Sequence, residues 1–341
     1  MAGWKLDYAL RVAKGASFKK FFEELNTATE LSGQSKIFTA FDMARSFIKY
    51  GAGYYDYNIF QFWNLSAAQR DTYLTRFRSK KLNMAMNEVA PADFFERKHD
   101  FNQKFRDYLG REFLPVADAS DADIEAFFTA RERVFAKPDD LEGGFGMELL
   151  KTADFDSLPE AVAYVREKGF GVLEDVVENH PELARIYPGA LNTMRMITLI
   201  ADDGEPYLLL AVQKFGINGR VVDNYGVHGP LDLETGEFLF PAHYGDTKAP
   251  GAFTHHPNTG EKIVGFHTPF FKEAKEMVLR AAMVMPEVRY AGWDVAVTPN
   301  GPVIVEGNTY TAHDFWQLPG QTPGGIGIMP TLNKLIPSFK Y

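Results

Sequence analysis

An α+β protein that opens with a helical region is predicted by three features of the sequence. Apolar residues recur at three- and four-residue spacing up to about residue 90. Near residue 130 the pattern changes to short β-rich runs alternating with helical segments. The last such runs flank Asn300-Gly301, a strong hairpin signal. Taken in order, residues 19–31, 36–49 and 67–86 read as helices, with GAGYYDY (51–57) as a break. A further helix over 91–110 carries Phe94, Phe95, Phe101 and Phe105 on one stripe and is started by Pro91 or Asp93. RVFAK (133–137) reads as a strand entering a loop over 138–146, and 146–151 as its return. Residues 158–169 form an amphipathic helix stopped by Gly169, and 170–177 the next strand. Strands then follow over 194–201, 206–215 and 219–224, separated by the turn signals DDG and ING. A long helix over 269–285 precedes strands 290–299 and 302–308.

The 341 residues carry a formal net charge of -9, which argues against a general nucleic-acid or anionic-membrane surface while leaving room for a local basic phosphate pocket. With no cysteine, disulfides and thiolate-bound zinc are excluded. The 29 Phe and 15 Tyr indicate large cores. No run is apolar and long enough to span a bilayer, and MAGWKLDYALRVAKG lacks the apolar centre of a secretory signal, so a cytoplasmic location is the default expectation.

The terminal hairpin carries the most chemistry. A turn at Asn300-Gly301 sets Asp294 and Glu306 at comparable distances from it, close across the pair, and Asn308 two residues beyond Glu306 points to the same face. Two adjacent carboxylates repel unless a cation lies between them. Two carboxylates and an amide oxygen suit Mg²⁺, which completes its shell with water and phosphate oxygens. A surface hairpin with solvated acids is the alternative. The flanking Trp293, VAV and VIV favour burial, and buried acids need partners.

Lys137 ends its strand at DDLEGGFGMEL, where Gly143, Gly144 and Gly146 allow close approach of backbone N–H groups to a phosphate. No G-K-[ST] follows, which excludes a Walker loop, and the loop joins two strands rather than opening a helix, which excludes a dinucleotide fingerprint. A glycine flap over phosphates and a plain glycine-rich hairpin both remain.

Together these motifs resemble the ATP-grasp superfamily, and within it the sugar-transfer-associated ATP-grasp family. The resemblance is carried by FFERKHDFNQKF (94–105), VFAKPDDLEGGFG (134–146), LEDVVENHPEL (173–183), LNTMRMITL (191–199), VVDNYGVHGP (221–230), GWDVAVTPNGPVIVEGN (292–308) and Gln317. It covers 90–341 in order and spacing and extends more loosely over YDYNIFQFW (55–63).

The resemblance implies an ATP-grasp fold, two α+β subdomains clasping ATP, behind the helical region. Residues 1–90 are then the N-terminal region, 91–190 the part with the lysine strand and glycine flap, and 191–341 the subdomain with the metal site. It implies that Lys98 and Lys137 reach the α/β-phosphates. Glu174, Asp175, Val176 and Val177 form the adenine hinge, read through backbone groups of Glu174 and Val177. Arg195 grips the transferred phosphoryl group. Asp223 and Asn224 shape the acceptor side. The sequence departs from the family pattern at His228, where a second glycine is usual, and at Lys214, where arginine is common; Pro181 stands near the expected ribose-binding acid. His255 and His256 are read as surface residues.

The activity implied is that of an ATP- and Mg²⁺-dependent carboxylate–amine ligase working through an acylphosphate, on an amino acid and a sugar acid or related metabolite. Arg195 and Lys137 are its expected catalytic residues. An ATP-grasp kinase acting on a hydroxyl, and a non-catalytic nucleotide-binding module, are the alternatives. Small-molecule substrates are expected, with neither nucleic acid nor membrane as partner. Residues 1–90 are open to acceptor shaping, buttressing or homodimer formation.

Overall fold

The computed structural model describes residues 18–138, 146–224, 226–244 and 251–340. Its contacts divide the chain into two compact units, Met1–Leu82 with Gln317–Tyr341, and Asn83–Trp316.

The first unit is helical: α1 (Phe18–Ser32), α2 (Lys36–Tyr50), α3 (Tyr54–Ile59), α4 (Ala67–Asp71), the start of α5 (Arg76–Met86) and a C-terminal helix (Met329–Leu335). Ser35 caps α2 by accepting from the Phe38 N–H, and Gly51, at φ +66°, ends it. Leu25, Met43, Tyr57, Phe60, Phe62 and Tyr73 form the core. Inside it, Arg70 holds Asp42 with two hydrogen bonds of 2.7 and 2.8 Å, and Tyr57 donates to the same carboxylate at 2.9 Å. The single helix expected over 67–86 is broken at 72–75. The Thr75 hydroxyl leaves the helical pattern to donate to the Tyr50 carbonyl, and the Asp56 carboxylate accepts the first N–H of the new helix at Arg76. Gln317 belongs to this unit, where its side chain bonds the backbone of Leu74 and Ile328.

The second unit carries two antiparallel sheets. The smaller has the order β1-β4-β2-β3: β1 (Phe113–Pro115), β2 (Arg133–Lys137), β3 (Glu148–Lys151), β4 (Val172–Asp175). Helix α9 (Asp121–Thr129) and helix α10 (Leu158–Lys168) contribute Ile124, Phe128, Ala161 and Val165 to its core, which also takes in Val134, Ala136 and Leu173 from the strands. The larger has the order β10-β9-β5-β6-β7-β8: β5 (Thr193–Ile200), β6 (Pro206–Phe215), β7 (Val227–Pro230), β8 (His243–Tyr244), β9 (Tyr290–Thr298), β10 (Gly301–Asn308). A helix at Phe271–Ala282 packs on this sheet through Ala274, Met277, Val278 and Ala281. The helix expected over 91–110 is three short ones, α6 (Val89–Glu96), α7 (Lys98–Lys104) and α8 (Arg106–Leu109), interrupted at Arg97 and Phe105. Their Phe95, Phe101 and Phe105 still converge, on the buried Trp293 of β9.

Two strand expectations are corrected. Residues 219–224 form no strand, only a bridge from Val222 to Leu191, because Asp223 turns its carboxylate onto the Thr193 N–H and hydroxyl, both at 2.7 Å. The hairpin loop is Pro299-Asn300 rather than Asn300-Gly301: Gly301 already pairs with Thr298. The Thr298 hydroxyl accepts the Asn300 N–H and donates to the Gly301 carbonyl, which closes the turn one residue earlier. Short strands β1, β7 and β8 had no sequence signal.

Candidate functional site

The site grows from one row across the large sheet. Glu306 of β10 lies opposite Asp294 of β9, which lies opposite Arg195 of β5. Asn308 pairs with Gly292, so it shares their face. A bulge between Ile304 and Glu306 sets this register. If the same residues paired regularly with no bulge, Val305 would oppose Asp294 and Glu306 would point to the far side with Trp293.

Asp294 is the centre of the row. Arg195 grips it as a fork, Nε to Oδ1 at 2.6 Å and Nη2 to Oδ2 at 2.9 Å. Lys214 places Nζ 3.3 Å from Asp294 Oδ1 and 3.3 Å from Asp223 Oδ1. Burial alone would raise the Asp294 pKa, but Arg195 and Lys214 hold it well below the usual carboxylate range. Glu306 moves the other way: burial and the facing Asp294 charge push its pKa up. Gly292 makes room for the arginine, since a Cβ there would lie 3.3 Å from Arg195 Cδ and 3.0 Å from Thr311.

A second charged knot lies on the small sheet. Glu174, 2% exposed, accepts from Lys137 at 2.6 Å, from Arg111 Nε at 2.8 Å and from Asn102 at 2.7 Å. Burial opposes ionisation of Glu174, yet Arg111 and Lys137 together hold its pKa down at about 2. Burial pulls the Lys137 pKa below the usual lysine range, and the Glu174 charge resists this. The other arm of Arg111 donates to the carbonyls of Ile304 and Val305, at 2.7 and 2.9 Å. One guanidinium therefore ties the lysine knot to the bulge that orients Glu306.

Both knots line one cleft of about 480 Å³, bounded by Lys137, Glu174, Lys214, Asp223, Asp294 and Glu306. That size suits a small-molecule ligand. Asp175, Val176, Val177 and Asn224 line it too. An adjoining cavity of about 230 Å³ holds Lys98, Arg195, Asn224 and Asn308. Gly143 and Gly144 lie outside the described residues; Gly146, at φ +71°, precedes β3. Glu174 is flanked by strands on both sides, opposite Phe113 and Phe135, so of the four residues expected to form an adenine hinge only Val176 and Val177 lie beyond the strand pairings. His256, expected at the surface, is buried, with Nε2 bonded to the Gly216 carbonyl at 2.8 Å. Arg111 lies in none of the motifs, and Asn102, although within 94–105, carried no expected role; Glu174 reaches both across more than sixty residues of chain.

Among the described residues no three His, Asp or Glu side chains converge into a ready-made metal cage. The site offers two facing carboxylates and an amide on one strand pair. That hard-oxygen set fits Mg²⁺ sharing its shell with substrate phosphates.

The chain has been compared with known proteins. No curated protein sequence matches it. Among solved structures, the D-alanine-D-alanine ligase from Coxiella burnetii is similar at 13% identity and a TM-score of 0.41, over 73% of this chain and 58% of that one. The ATP-grasp ligase PsnB, in complex with minimal precursor, Mg and ADP, matches at 12% identity and a TM-score of 0.39, over 74% and 63%. The N5-carboxyaminoimidazole synthase from Aspergillus clavatus matches at 8% and 0.40, over 66% and 46%. The chain thus spans less than two-thirds of the length of each of these three structures. A sequence model of the sugar-transfer associated ATP-grasp family covers residues 161–335, just over half of the chain, and takes in β5, β6, β9 and β10 with Arg195, Lys214, Asp294, Glu306 and Asn308. On that match the chain belongs to the sugar-transfer associated ATP-grasp family.

Proposed function

We propose that the protein is an ATP-dependent ligase that joins a carboxylic acid to an amine. One observation carries the reading: Glu306 and Asp294 face a single cleft with the Lys137–Glu174 knot, and Arg195, next in the row, lines the cavity that adjoins it. A phosphate chain lying there is met by cations from both sheets, Lys137 and Arg111 on one side, Arg195 and Lys214 on the other. Backbone groups of Val176 and Val177, outside the strand pairings, read the adenine edge. Lys98 and Asn224 border the adjoining cavity, where the terminal phosphate and the acceptor meet.

Asp294, Glu306 and Asn308 would hold Mg²⁺, whose chemistry is to neutralise charge on the phosphate oxygens. The protein's own groups do the rest by position and charge. The substrate carboxylate oxygen bonds to the γ-phosphorus and ADP leaves, giving an acylphosphate. The amine nitrogen then bonds to the carbonyl carbon, the phosphate leaves and the amine loses a proton. Arg195 is a planar fork suited to two phosphoryl oxygens, and Lys137 a point charge beside them. No side-chain nucleophile takes part.

The test is an ADP-release screen of carboxylic acids against amines, with mass detection of products, beside calorimetry with magnesium nucleotide. Amide product with ADP and phosphate is the expected result. Phosphate left on a hydroxyl acceptor would make the protein a kinase, and no heat with magnesium nucleotide would remove the reading. Glu306→Gln is expected to lower turnover by more than about a hundredfold with the fold intact; wild-type turnover would dismiss the metal assignment.

A further inference from the structure

Asp294 has no uncommitted oxygen. Its Oδ1 takes Arg195 Nε at 2.6 Å and lies 3.3 Å from Lys214 Nζ, and its Oδ2 takes Arg195 Nη2 at 2.9 Å. The Asp294 side chain is 9% exposed, so these pairs are barely screened by water. Lys214 is anchored from its other side by Asp223, which is fixed in turn by the Thr193 N–H and hydroxyl. A divalent cation arriving alone would have to displace a bidentate guanidinium and would sit beside a buried ammonium. A nucleotide changes that balance, because its phosphate oxygens offer both cations a replacement acceptor of greater negative charge.

Resting on the ligase reading above, we propose that Arg195 and Lys214 are positioning residues that guard Asp294, so that divalent cation and nucleotide can bind only as a linked pair. By linkage, the factor by which nucleotide raises metal affinity equals the factor by which metal raises nucleotide affinity. Lys214 has the purer guard role. Arg195 has a second task at the phosphoryl group, whereas Lys214 is held between two aspartates and releases one of them when a phosphate draws it away.

The experiment uses Mn²⁺ as probe, followed by electron paramagnetic resonance and calorimetry on the full chain, with and without ADP. For the wild type, Mn²⁺ alone is expected to give no saturable binding at the site, and Mn²⁺ with ADP to bind. In Lys214→Met and Arg195→Met, Mn²⁺ alone is expected to bind about tenfold tighter or more than in the wild type. The gain should vanish when Glu306→Gln is added, which locates the ion at this hairpin. Circular dichroism shows whether each variant folds, and either single variant suffices for the test. If the wild type binds Mn²⁺ as tightly without ADP as with it, or folded variants show no gain, the guard is overturned while the ligase reading stands. If Mn²⁺ with ADP fails to bind the wild type at all, the ligase reading itself falls, and the guard with it.

Discussion

Glu174 shows how much one buried side chain can organise. It is nearly inaccessible, yet it gathers Lys137, Arg111 and Asn102 at 2.6–2.8 Å. Glu174→Ala would leave two buried cations without their counter-charge, and removing one member of a buried pair costs about 3–5 kcal/mol. Urea denaturation is expected to show that loss, with Glu174→Gln costing less because the amide oxygen still accepts. The pKa near 2 also has a consequence for pH. A carboxyl held below its unfolded value adds stability that is complete above about pH 4.5 and drains away as pH falls toward about 2. Lys137 was legible in the sequence because it ends a strand at a glycine loop. The role of the Glu174 side chain was not, since Asn102 comes from α7 and Arg111 lies two residues before β1, and no spacing within one strand announces them.

At the scale of elements, two glycines set how closely the site's supports approach. A Cβ on Gly307 would lie 2.2 Å from the Phe95 ring and 2.4 Å from Phe101. Gly307→Ala is expected to destabilise by about 1–3 kcal/mol through overpacking, read as a lower urea midpoint with unchanged slope. Gly292→Ala acts on chemistry instead: it crowds the Arg195 stem and should raise the nucleotide requirement more than it lowers stability. The helix over 158–169 and strands 133–137 and 206–215 were legible because their periodicity is local. The breaks at 72–75 and at Arg97 and Phe105 were not, because side chains distant in sequence satisfy the backbone there or, as with the three phenylalanines, keep their stripe despite the interruption.

For the whole molecule, acid sensitivity should extend into a milder range than Glu174 alone provides. His228 of β7 is buried opposite Lys214 and His243, and burial with those neighbours lowers its pKa to about 4. An unfolded histidine protonates near 6.5, so folding must exclude a proton the unfolded chain would bind. Stability contributed this way is complete above about pH 6.5 and is lost progressively down to about pH 4. Urea midpoints should therefore fall between neutral pH and about pH 5, and fall less steeply in His228→Phe; an equal slope in the variant would deny His228 that role. The overall α+β plan was legible from period changes along the chain, and the cleft from the pairing of a lysine strand with an acidic hairpin. What could not be read was the register that brings their charges together, because it depends on Arg111 reaching from outside both motifs.

That register has a consequence for how the hairpin tolerates change in length. The facing of its acids rests on a bulge that absorbs one odd residue at Val305, pinned by a distant guanidinium. Removing that residue would join Ile304 directly to Glu306 and keep Glu306 opposite Asp294 in a regular ladder, whereas one further residue between the bulge and Glu306 would turn that acid to the face of Trp293. Insertions in the loop at Pro299-Asn300 leave the count between the bulge and Glu306 untouched and should be harmless by comparison. Length variation in this hairpin is therefore expected on the loop side of the bulge and not on the side that carries the acids.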